Sequence, residues 1–328
     1  MSTMRAIVIA DDDARSLRWD HVPRPEPGPD QLLVRVAATA VNRADLLQRR
    51  GRYPVPPGAS EILGLEASGV VEAVGENVEG WAVGDEVCAL LEGGGYAEYI
   101  VIDASMALPL PPGLSLLEAA AVPEVFYTAW LNLYVEGALQ RDEVAFIHAA
   151  ASGVGTAGLQ LCRAFGNPVF ASASTDKLDA CREYGATWVI DRKAERFRDR
   201  VREERGRDGV HVVLDMVGGG ALGDNIDILT TDGRLVVIGL LGGAKDELHL
   251  GKLLMKRLRV IGSTLRSRSR ADKVALTAQL REQVWPLFAD GTLKPVIDRG
   301  LPITEAEAAH RALETNATIG KVLLKISE

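Results

Sequence analysis

The residues most plainly spaced for chemistry are three glycines in the pattern G-x-G-x-x-G: Gly153, Gly155 and Gly158. They follow an apolar run, Val144-Ala145-Phe146-Ile147-His148, and open a helical pattern from Thr156 to Phe165 that stops at Gly166. In a strand, turn and helix unit, the first glycine permits the tight turn and the second lets the backbone approach a pyrophosphate. The third lets helix and strand pack closely. The helix start adds unpaired backbone N–H groups and the positive end of the dipole. Together with Val154 and Thr156, these glycines read as a dinucleotide site; taken alone, the spacing also describes an ordinary βα turn.

A site that prefers NAD carries an Asp or Glu about 20 residues beyond the first glycine, bonded to the ribose 2′-OH. The stretch at that distance is Ala171-Ser172-Ala173-Ser174-Thr175-Asp176-Lys177, with no acid at the strand end. Ser174 and Lys177 offer a hydroxyl and an ammonium to a 2′-phosphate, and Arg192, after the next strand, a guanidinium. Each charge-assisted bond contributes about 1.5–3 kcal/mol, roughly tenfold or more in preference. NADP(H) is therefore the expected cofactor. Asp176 opposes a phosphate at this place, and Asp176 with Lys177 also reads as a solvated helix start. Farther on, Gly239-Leu240-Leu241-Gly242-Gly243 follows a strand end, where ligands sit in such sheets, so backbone contacts from Gly239, Leu240 and Leu241 to the nicotinamide ribose are expected.

The elements that must position these groups divide the chain near residue 122. Before it the pattern is short strands and turns: Leu32–Val36 after the Pro-rich turn 23–30, Ser68–Val74 before Gly75, and Glu86–Leu91 before Gly93-Gly94-Gly95. Such spacing suggests a small, mostly β domain. Ser115 and Glu118 form a capping box for a helix that ends before Pro123. From there strands and helices alternate: strands Val144–His148, Val169–Ser172, Trp188–Ile190, Val210–Leu214, Arg234–Ile238 and Leu258–Ile261. The intervening helices are placed at Thr156–Phe165, Asp176–Tyr184, Ala194–Arg205 and Ala221–Leu229. Six strands with crossover helices predict a doubly wound parallel sheet. A helix Ala271–Ala289 and a last strand Gly320–Ile326 are too little for a further domain, so they are expected to return to the first. The domains are thus 1–122 with 266–328, and 123–265, with a cleft between the lobes as the expected ligand site.

Several motifs in order resemble the zinc-free quinone oxidoreductases of the medium-chain dehydrogenase/reductase family, over nearly the whole chain. They are Val41-Asn42-Arg43-Ala44-Asp45, Gly51-Arg52-Tyr53-Pro54, Gly64-Leu65-Glu66-Ala67-Ser68-Gly69, Ser152 to Gly158, Asp215-Met216-Val217-Gly218-Gly219, Gly262 to Arg268, and Ile319-Gly320-Lys321-Val322. The resemblance implies an α/β chain with a GroES-like β-rich catalytic domain and a Rossmann cofactor domain, NADPH as hydride donor, and a homodimer joined through the last strands of two Rossmann sheets. It places Asn42 and Tyr53 in the substrate cleft, where an amide or phenol donor meets a carbonyl oxygen as charge develops. It places Thr128, Arg266 and Lys321 beside the cofactor. Read from the residues alone, Asn42 is equally a turn residue, Tyr53 a packed ring, Thr128 a helical threonine bonded back to a carbonyl and Arg266 a loop charge. A second tyrosine of some relatives is Leu47 here. Where the zinc relatives carry Cys and His ligands this chain has Asn42 and Leu65, and Leu cannot ligate zinc, so no metal is expected.

With 328 residues, 47% hydrophobic, and 45 acidic against 37 basic side chains, the composition is that of a globular protein of net charge -8. That balance argues against nucleic acid or an anionic membrane as partner. No apolar run reaches the roughly 18 residues of a membrane span, and no secretory pattern is present, so a cytoplasmic location is expected. Cys88, Cys162 and Cys181 are scattered, without disulfide or metal spacing. His148 reads as a packed residue, and His21, His211, His249 and His310 show no ligand-like spacing. The expected function is NADPH-dependent quinone reduction. Reduction of activated C=C bonds in 2-alkenals or enones is the alternative within enzymes, and a low-turnover NADPH sensor the alternative outside them.

Overall fold

The computed structural model describes residues 2–326; of the expected first domain, residues 1, 327 and 328 lie outside the described residues. In chain order the strands are β1 (Thr3–Ile9), β2 (Leu17–Pro23), β3 (Gln31–Val41), β4 (Glu66–Val74), β5 (Glu86–Leu90), β6 (Tyr99–Asp103), β7 (Leu108–Pro109), β8 (Ala145–Ile147), β9 (Val169–Ala173), β10 (Trp188–Asp191), β11 (Val210–Asp215), β12 (Leu229–Val237), β13 (Arg259–Gly262), β14 (Ile297–Pro302) and β15 (Lys321–Lys325). They fall into two compact units, Met1–Tyr127 with Arg266–Glu328, and Thr128–Leu265.

The first unit is built on a seven-stranded sheet of order β14-β15-β3-β4-β5-β7, with β6 also paired to β3. The long strand β3 is buried along most of its length and pairs with β4 over nearly all of it, with β6 on its first part and with β15 on its last. Leu32, Val34, Val36, Val71, Val87, Ile100 and Ile102 form one core of this unit. The pairing of β15 with β3, Val322 opposite Val41, carries the returning segment to the end of β3, where Asn42 begins a short helix, Arg43–Arg49. Gly320, just before β15, has φ +76, and a Cβ there would lie 2.1 Å from the Val296 carbonyl oxygen. Only glycine fits.

The second unit is a six-stranded sheet of order β10-β9-β8-β11-β12-β13, every pair parallel. Renumbered from its own first strand this is 3-2-1-4-5-6, the doubly wound order whose direction reverses between β8 and β11. Parallel strands buried on both faces read as apolar runs, and Phe146, Ile147, Phe170, Ala171, Val213 and Leu214 are fully buried here.

The capping box forms as the sequence predicts, with the Glu118 N–H donating to Ser115 Oγ and the Ser115 N–H to the Glu118 carboxylate. The expected helix Ala271–Ala289 is instead two, Arg270–Gln283 and Pro286–Ala289, because proline has no N–H for the helical ladder and its ring crowds the preceding turn. The returning segment also holds β14 and a helix, Ala306–Glu314, that the sequence reading left out. Residues Leu131–Glu136 form a π-helical turn after the helix Pro123–Trp130. Among the described residues no helix is long and apolar enough to cross a membrane.

Gly320→Ala is expected to destabilise the protein by about 1–3 kcal/mol through the left-handed backbone and more through the Val296 clash. Gly291→Ala, at φ +75 with nothing within 4 Å, carries only the backbone part. Urea unfolding midpoints check this, with the larger drop expected at Gly320.

Candidate active site

In the second unit, Ser152 caps the helix Gly153–Phe165, its Oγ accepting from the Gly155 N–H at 3.1 Å. The helix starts three residues earlier than the sequence pattern suggests. The N–H groups of Gly153 and Val154 have no intrahelical acceptor at such a start. A Cβ on Gly155 would lie 2.5 Å from the Ala150 backbone, and one on Gly158 would lie 2.9 Å from Ile147 Cδ1. The glycines therefore hold the helix end close against β8, and Ala149, at φ +46, takes the left-handed turn that precedes it. Thr156 is buried, with its hydroxyl donating to the Gly153 carbonyl.

Beyond β9, Ser174 and Arg192 meet: Arg192 Nη2 donates to Ser174 Oγ at 3.2 Å. Lys177 is buried between the short 3-10 turn Thr175–Lys177 and the helix Leu178–Glu183. Asp176 is exposed. The sequence reading missed Asp191, whose Oδ2 accepts from Thr175 Oγ1 at 2.6 Å; that bond is the main cause holding its carboxyl below the usual range.

Two loops at neighbouring strand ends are tied together. After β11, Asp215 Oδ1 accepts from the Val217 and Gly218 N–H groups at 2.7 and 3.1 Å. The Gly219 N–H donates to the Gly243 carbonyl, and those of Leu241 and Gly242 donate back to Met216 and Val217. Leu240 and Leu241 are exposed on this paired loop, and Gly239 packs on Met216. His148, at the end of β8, is buried between Phe146 and Phe197 and shares a 2.8 Å hydrogen bond with Asn225 Oδ1; Asn225 Nδ2 donates to Asp215 Oδ2 at 3.0 Å. Burial lowers the His148 pKa, so the ring sits neutral in this chain of bonds. Its packed role matches the sequence reading, but its tie to Asp215 was not legible there.

In the first unit the expected catalytic Asn42 is buried and its amide is fully engaged. Nδ2 donates to Glu66 Oε1 at 2.9 Å and to the Ala40 carbonyl at 3.3 Å, while Oδ1 accepts from Lys321 Nζ at 2.5 Å. Donation from Asn42 to a substrate carbonyl would displace one of these bonds. Lys321 is buried in an ion pair with Glu66, 2.8 Å, and also donates to the Val41 carbonyl. Glu66 Oε2 accepts from the Glu124 N–H at 2.9 Å. Asp45, fully buried, accepts from the Asn42 and Gly64 N–H groups at 2.8 and 3.0 Å and from Tyr96 OH at 3.4 Å. Tyr96 OH reaches His310 Nε2 at 3.2 Å, and burial pushes the His310 pKa down to about 4. Desolvation raises Asp45 to about 6 against its hydrogen bonds. Of this network the sequence reading assigned a site role to Asn42 and Lys321; single-residue motifs carry no signal for Tyr96 meeting Asp45 and, 214 residues away, His310, or for the Glu124 N–H meeting Glu66.

Tyr53 is partly buried, with the Arg266 guanidinium 5.2 Å from its ring centroid. Burial raises the Tyr53 pKa and lowers that of Arg266. Arg266 is itself buried and donates from Nε and Nη2 to the Glu92 carbonyl, and Lys273 binds both the Arg266 carbonyl and the Glu92 carboxylate. Thr128 is buried in the helix Pro123–Trp130, its carbonyl accepting from Asn132 Nδ2.

Asp45 gives a pH prediction. Its folded pKa lies above the roughly 3.9 of an exposed aspartate, so the native state binds more protons between about pH 4 and 6. The stability this contributes is present at low pH and lost as pH rises through about 6. Asp45→Asn removes the titration, so wild-type stability should fall relative to the variant by about 2–3 kcal/mol between pH 4 and 7. Urea unfolding across that range checks it; parallel curves would contradict the burial argument.

Residues 28–112 match the family model described as alcohol dehydrogenase GroES-like domain, and 153–280 the model described as zinc-binding dehydrogenase. The chain is 31% identical to the human synaptic vesicle membrane protein VAT-1 homolog, over 92% of this chain and 80% of that one. It is 31% identical to a mycocerosic acid synthase-like polyketide synthase of Mycobacterium tuberculosis, of whose length it spans 15%. Among solved structures it superposes on an NAD-dependent alcohol dehydrogenase (31% identical, TM-score 0.85, 99% of this chain and 100% of that one). It also superposes on Escherichia coli quinone oxidoreductase complexed with NADPH (28%, 0.85, 99% and 100%) and on CurK enoyl reductase (27%, 0.87, 99% of each). The residues do not fit the zinc of the second model's description: Leu65 is a buried hydrocarbon, Asn42 is saturated, and among the described residues no group of three or more His, Cys, Asp or Glu is placed to hold a metal ion. The shared GroES-like unit, the 3-2-1-4-5-6 parallel sheet and the full-length similarity make this chain a member of the medium-chain dehydrogenase/reductase family of oxidoreductases.

Proposed function

We propose that the protein is a cytoplasmic NADPH-dependent reductase that passes hydride to quinones without a metal. The observation that carries this reading is the pair of features at the parallel sheet's strand ends: the Ser152-capped helix start, and the Ser174–Arg192 contact beyond β9. NADPH, when bound, supplies a hydride from its nicotinamide ring. Gly153, Val154, Gly155 and Thr156 would receive the pyrophosphate at the helix start. Ser174, Arg192 and Lys177 would receive the 2′-phosphate, and the paired loop at Gly239, Leu240 and Leu241 the nicotinamide ribose. Thr128, Arg266 and Lys321 complete the expected cofactor set, with Lys321 acting through the Asn42 and Glu66 network it holds in place. Asn42 and Tyr53 are assigned to the acceptor; Tyr53 offers the phenol donor, and Asn42, saturated, orients the wall beside it. The protein's task is then to position two reactants and exclude water.

A second reading, reduction of conjugated C=C bonds in 2-alkenals or enones, draws support from the likeness to CurK enoyl reductase and to a polyketide synthase segment. The same hydride geometry serves both acceptors, because fold does not fix substrate. A homodimer is also proposed. The edge strand β13 and the adjacent helix Leu250–Met255 expose Leu250, Leu254 and Met255 at 68, 76 and 78%, an apolar strip a second copy would cover.

NADPH oxidation followed by absorbance tests the reading, with a quinone and a 2-alkenal offered separately and NADH run beside NADPH. Quinone-dependent turnover that prefers NADPH is expected, and Arg192→Ala should reduce that preference roughly tenfold. Turnover with the alkenal alone moves the function to double-bond reduction; NADPH binding without turnover moves it to a sensor. Light scattering on the same sample should give twice the chain mass.

A further inference from the structure

In the second unit the parallel pairing of β9 with β10 ends at Ala173 opposite Asp191, and the Arg192 N–H donates to the Ala173 carbonyl at 3.0 Å. Ser174 and Arg192 therefore leave their strands side by side. Beyond that point side chains join the two segments. Arg192 Nη2 donates to Ser174 Oγ at 3.2 Å, and Thr175 Oγ1 donates to Asp191 Oδ2 at 2.6 Å. The first is long for a guanidinium donor, on an exposed arginine. The second has the length of a strong hydroxyl-to-carboxylate bond, about 2.5–2.7 Å. Asp191 is itself fixed: its N–H donates to Glu195 Oε1 at 3.0 Å, its carbonyl accepts from the Ala194 and Glu195 N–H groups, and its Oδ1 accepts from the Lys193 N–H at 2.9 Å. Thr175 is thus tied to a rigid post. Ser174 opens the turn Thr175–Lys177, where a serine ordinarily caps, yet its hydroxyl makes no cap bond to that turn and meets Arg192 instead.

We propose that Thr175 and Asp191 are positioning residues whose bond sets the preference of this site for a 2′-phosphate over a 2′-hydroxyl on the adenosine ribose. The inference rests on the reading of the second unit as an NADPH site. Affinity for a small anion depends on having its donors already in place, because ordering them at the moment of binding costs part of the gain. The Thr175–Asp191 bond holds the turn after β9 against the end of β10, so the Ser174 hydroxyl and the Arg192 guanidinium meet before any ligand arrives. A carboxylate at a strand end can play the opposite part, accepting from a ribose 2′-OH and selecting NAD. Both Asp191 oxygens already accept from the protein, Oδ2 from Thr175 and Oδ1 from Lys193, so that part would require releasing Thr175. The same bond is the main cause holding the Asp191 carboxyl below the usual range, which gives the contact a signature of its own.

Affinities of the full chain for NADPH and NADH, measured by the fluorescence of the reduced nicotinamide, test the proposal. Thr175→Val keeps the side-chain shape without the hydroxyl, at an exposed position. It should lower the NADPH-to-NADH affinity ratio about threefold to tenfold, through NADPH alone. Thr175→Ser, which keeps the hydroxyl, should restore the ratio. In an Asp191→Ala background Thr175→Val should leave the ratio unmoved, because its partner is gone. A wild-type ratio retained in Thr175→Val, or the same loss with and without Asp191, overturns the positioning role and leaves the NADPH reading standing. A wild type with no preference for NADPH defeats that reading, and the positioning role with it. The contact is also checked without cofactor. Carboxyl 13C titration of Asp-labelled protein, with the Asp191 resonance assigned by its loss in Asp191→Ala, should show a higher Asp191 pKa in Thr175→Val; an unmoved value overturns the proposal whatever the affinities.

Discussion

The structure of the first unit depends on one buried charge pair, Lys321 with Glu66. A carboxylate with no exposed surface is stable only beside a cation and hydrogen-bond donors, and Glu66 has Lys321, Asn42 Nδ2 and the Glu124 N–H. The cation comes from a strand some 250 residues farther along the chain. Pairing of β15 with β3 places Lys321 beside Val41 and Asn42, and Gly320 supplies the left-handed turn that lets the strand enter there. This constraint gives a physical reason for a discontinuous unit: the returning segment closes the sheet and brings the ammonium that the buried acids require. Removing Lys321 alone would leave Glu66 and its neighbours as uncompensated charge, a loss typically of 3–5 kcal/mol.

The second unit solves a different problem with backbone rather than charge. Its strands are apolar runs, and its polar groups gather at strand ends, where the Ser152 cap, the Ser174–Arg192 contact and the interlocked 215–219 and 239–243 loops lie. His148, Asn225 and Asp215 join the end of β8 to the end of β11 across the point where strand order reverses. That point is where ligands bind in sheets of this order. Rigid loops held by a buried, neutral histidine are suited to orient a ring without contributing a proton.

Much of this was legible in the sequence, and the parts that were not share a cause. The glycine spacing, the capping box at Ser115 and Glu118, and the six strands of the parallel sheet depend on neighbours within about 30 residues, and they formed in the expected order, with the glycine helix beginning earlier, at Gly153, and β12 earlier, at Leu229. The helix broken at Pro286 was a local signal overlooked. By contrast, the saturation of Asn42, the burial of Lys321 and the shared acid cluster arise from pairings between β3, β4 and β15 and the helix at Pro123, and Arg266 is held by Glu92, distant from it in the sequence, and by Lys273. Periodicity and composition carry no trace of those distances. The expectation of no zinc at Asn42 and Leu65 needs only side-chain chemistry, since a leucine side chain has no donor atom wherever the fold places it.

The most direct test of the central claim, that a phosphorylated nicotinamide dinucleotide lies across the ends of the parallel strands, is a backbone amide NMR titration with NADP+. The account predicts the largest shifts at Gly153 to Gly155, at Ser174 and Arg192, and at Gly239 to Gly242, with NAD+ leaving Ser174 and Arg192 nearly unmoved. Shifts confined to other surfaces, or NADP+ and NAD+ giving the same pattern at Ser174 and Arg192, would contradict it.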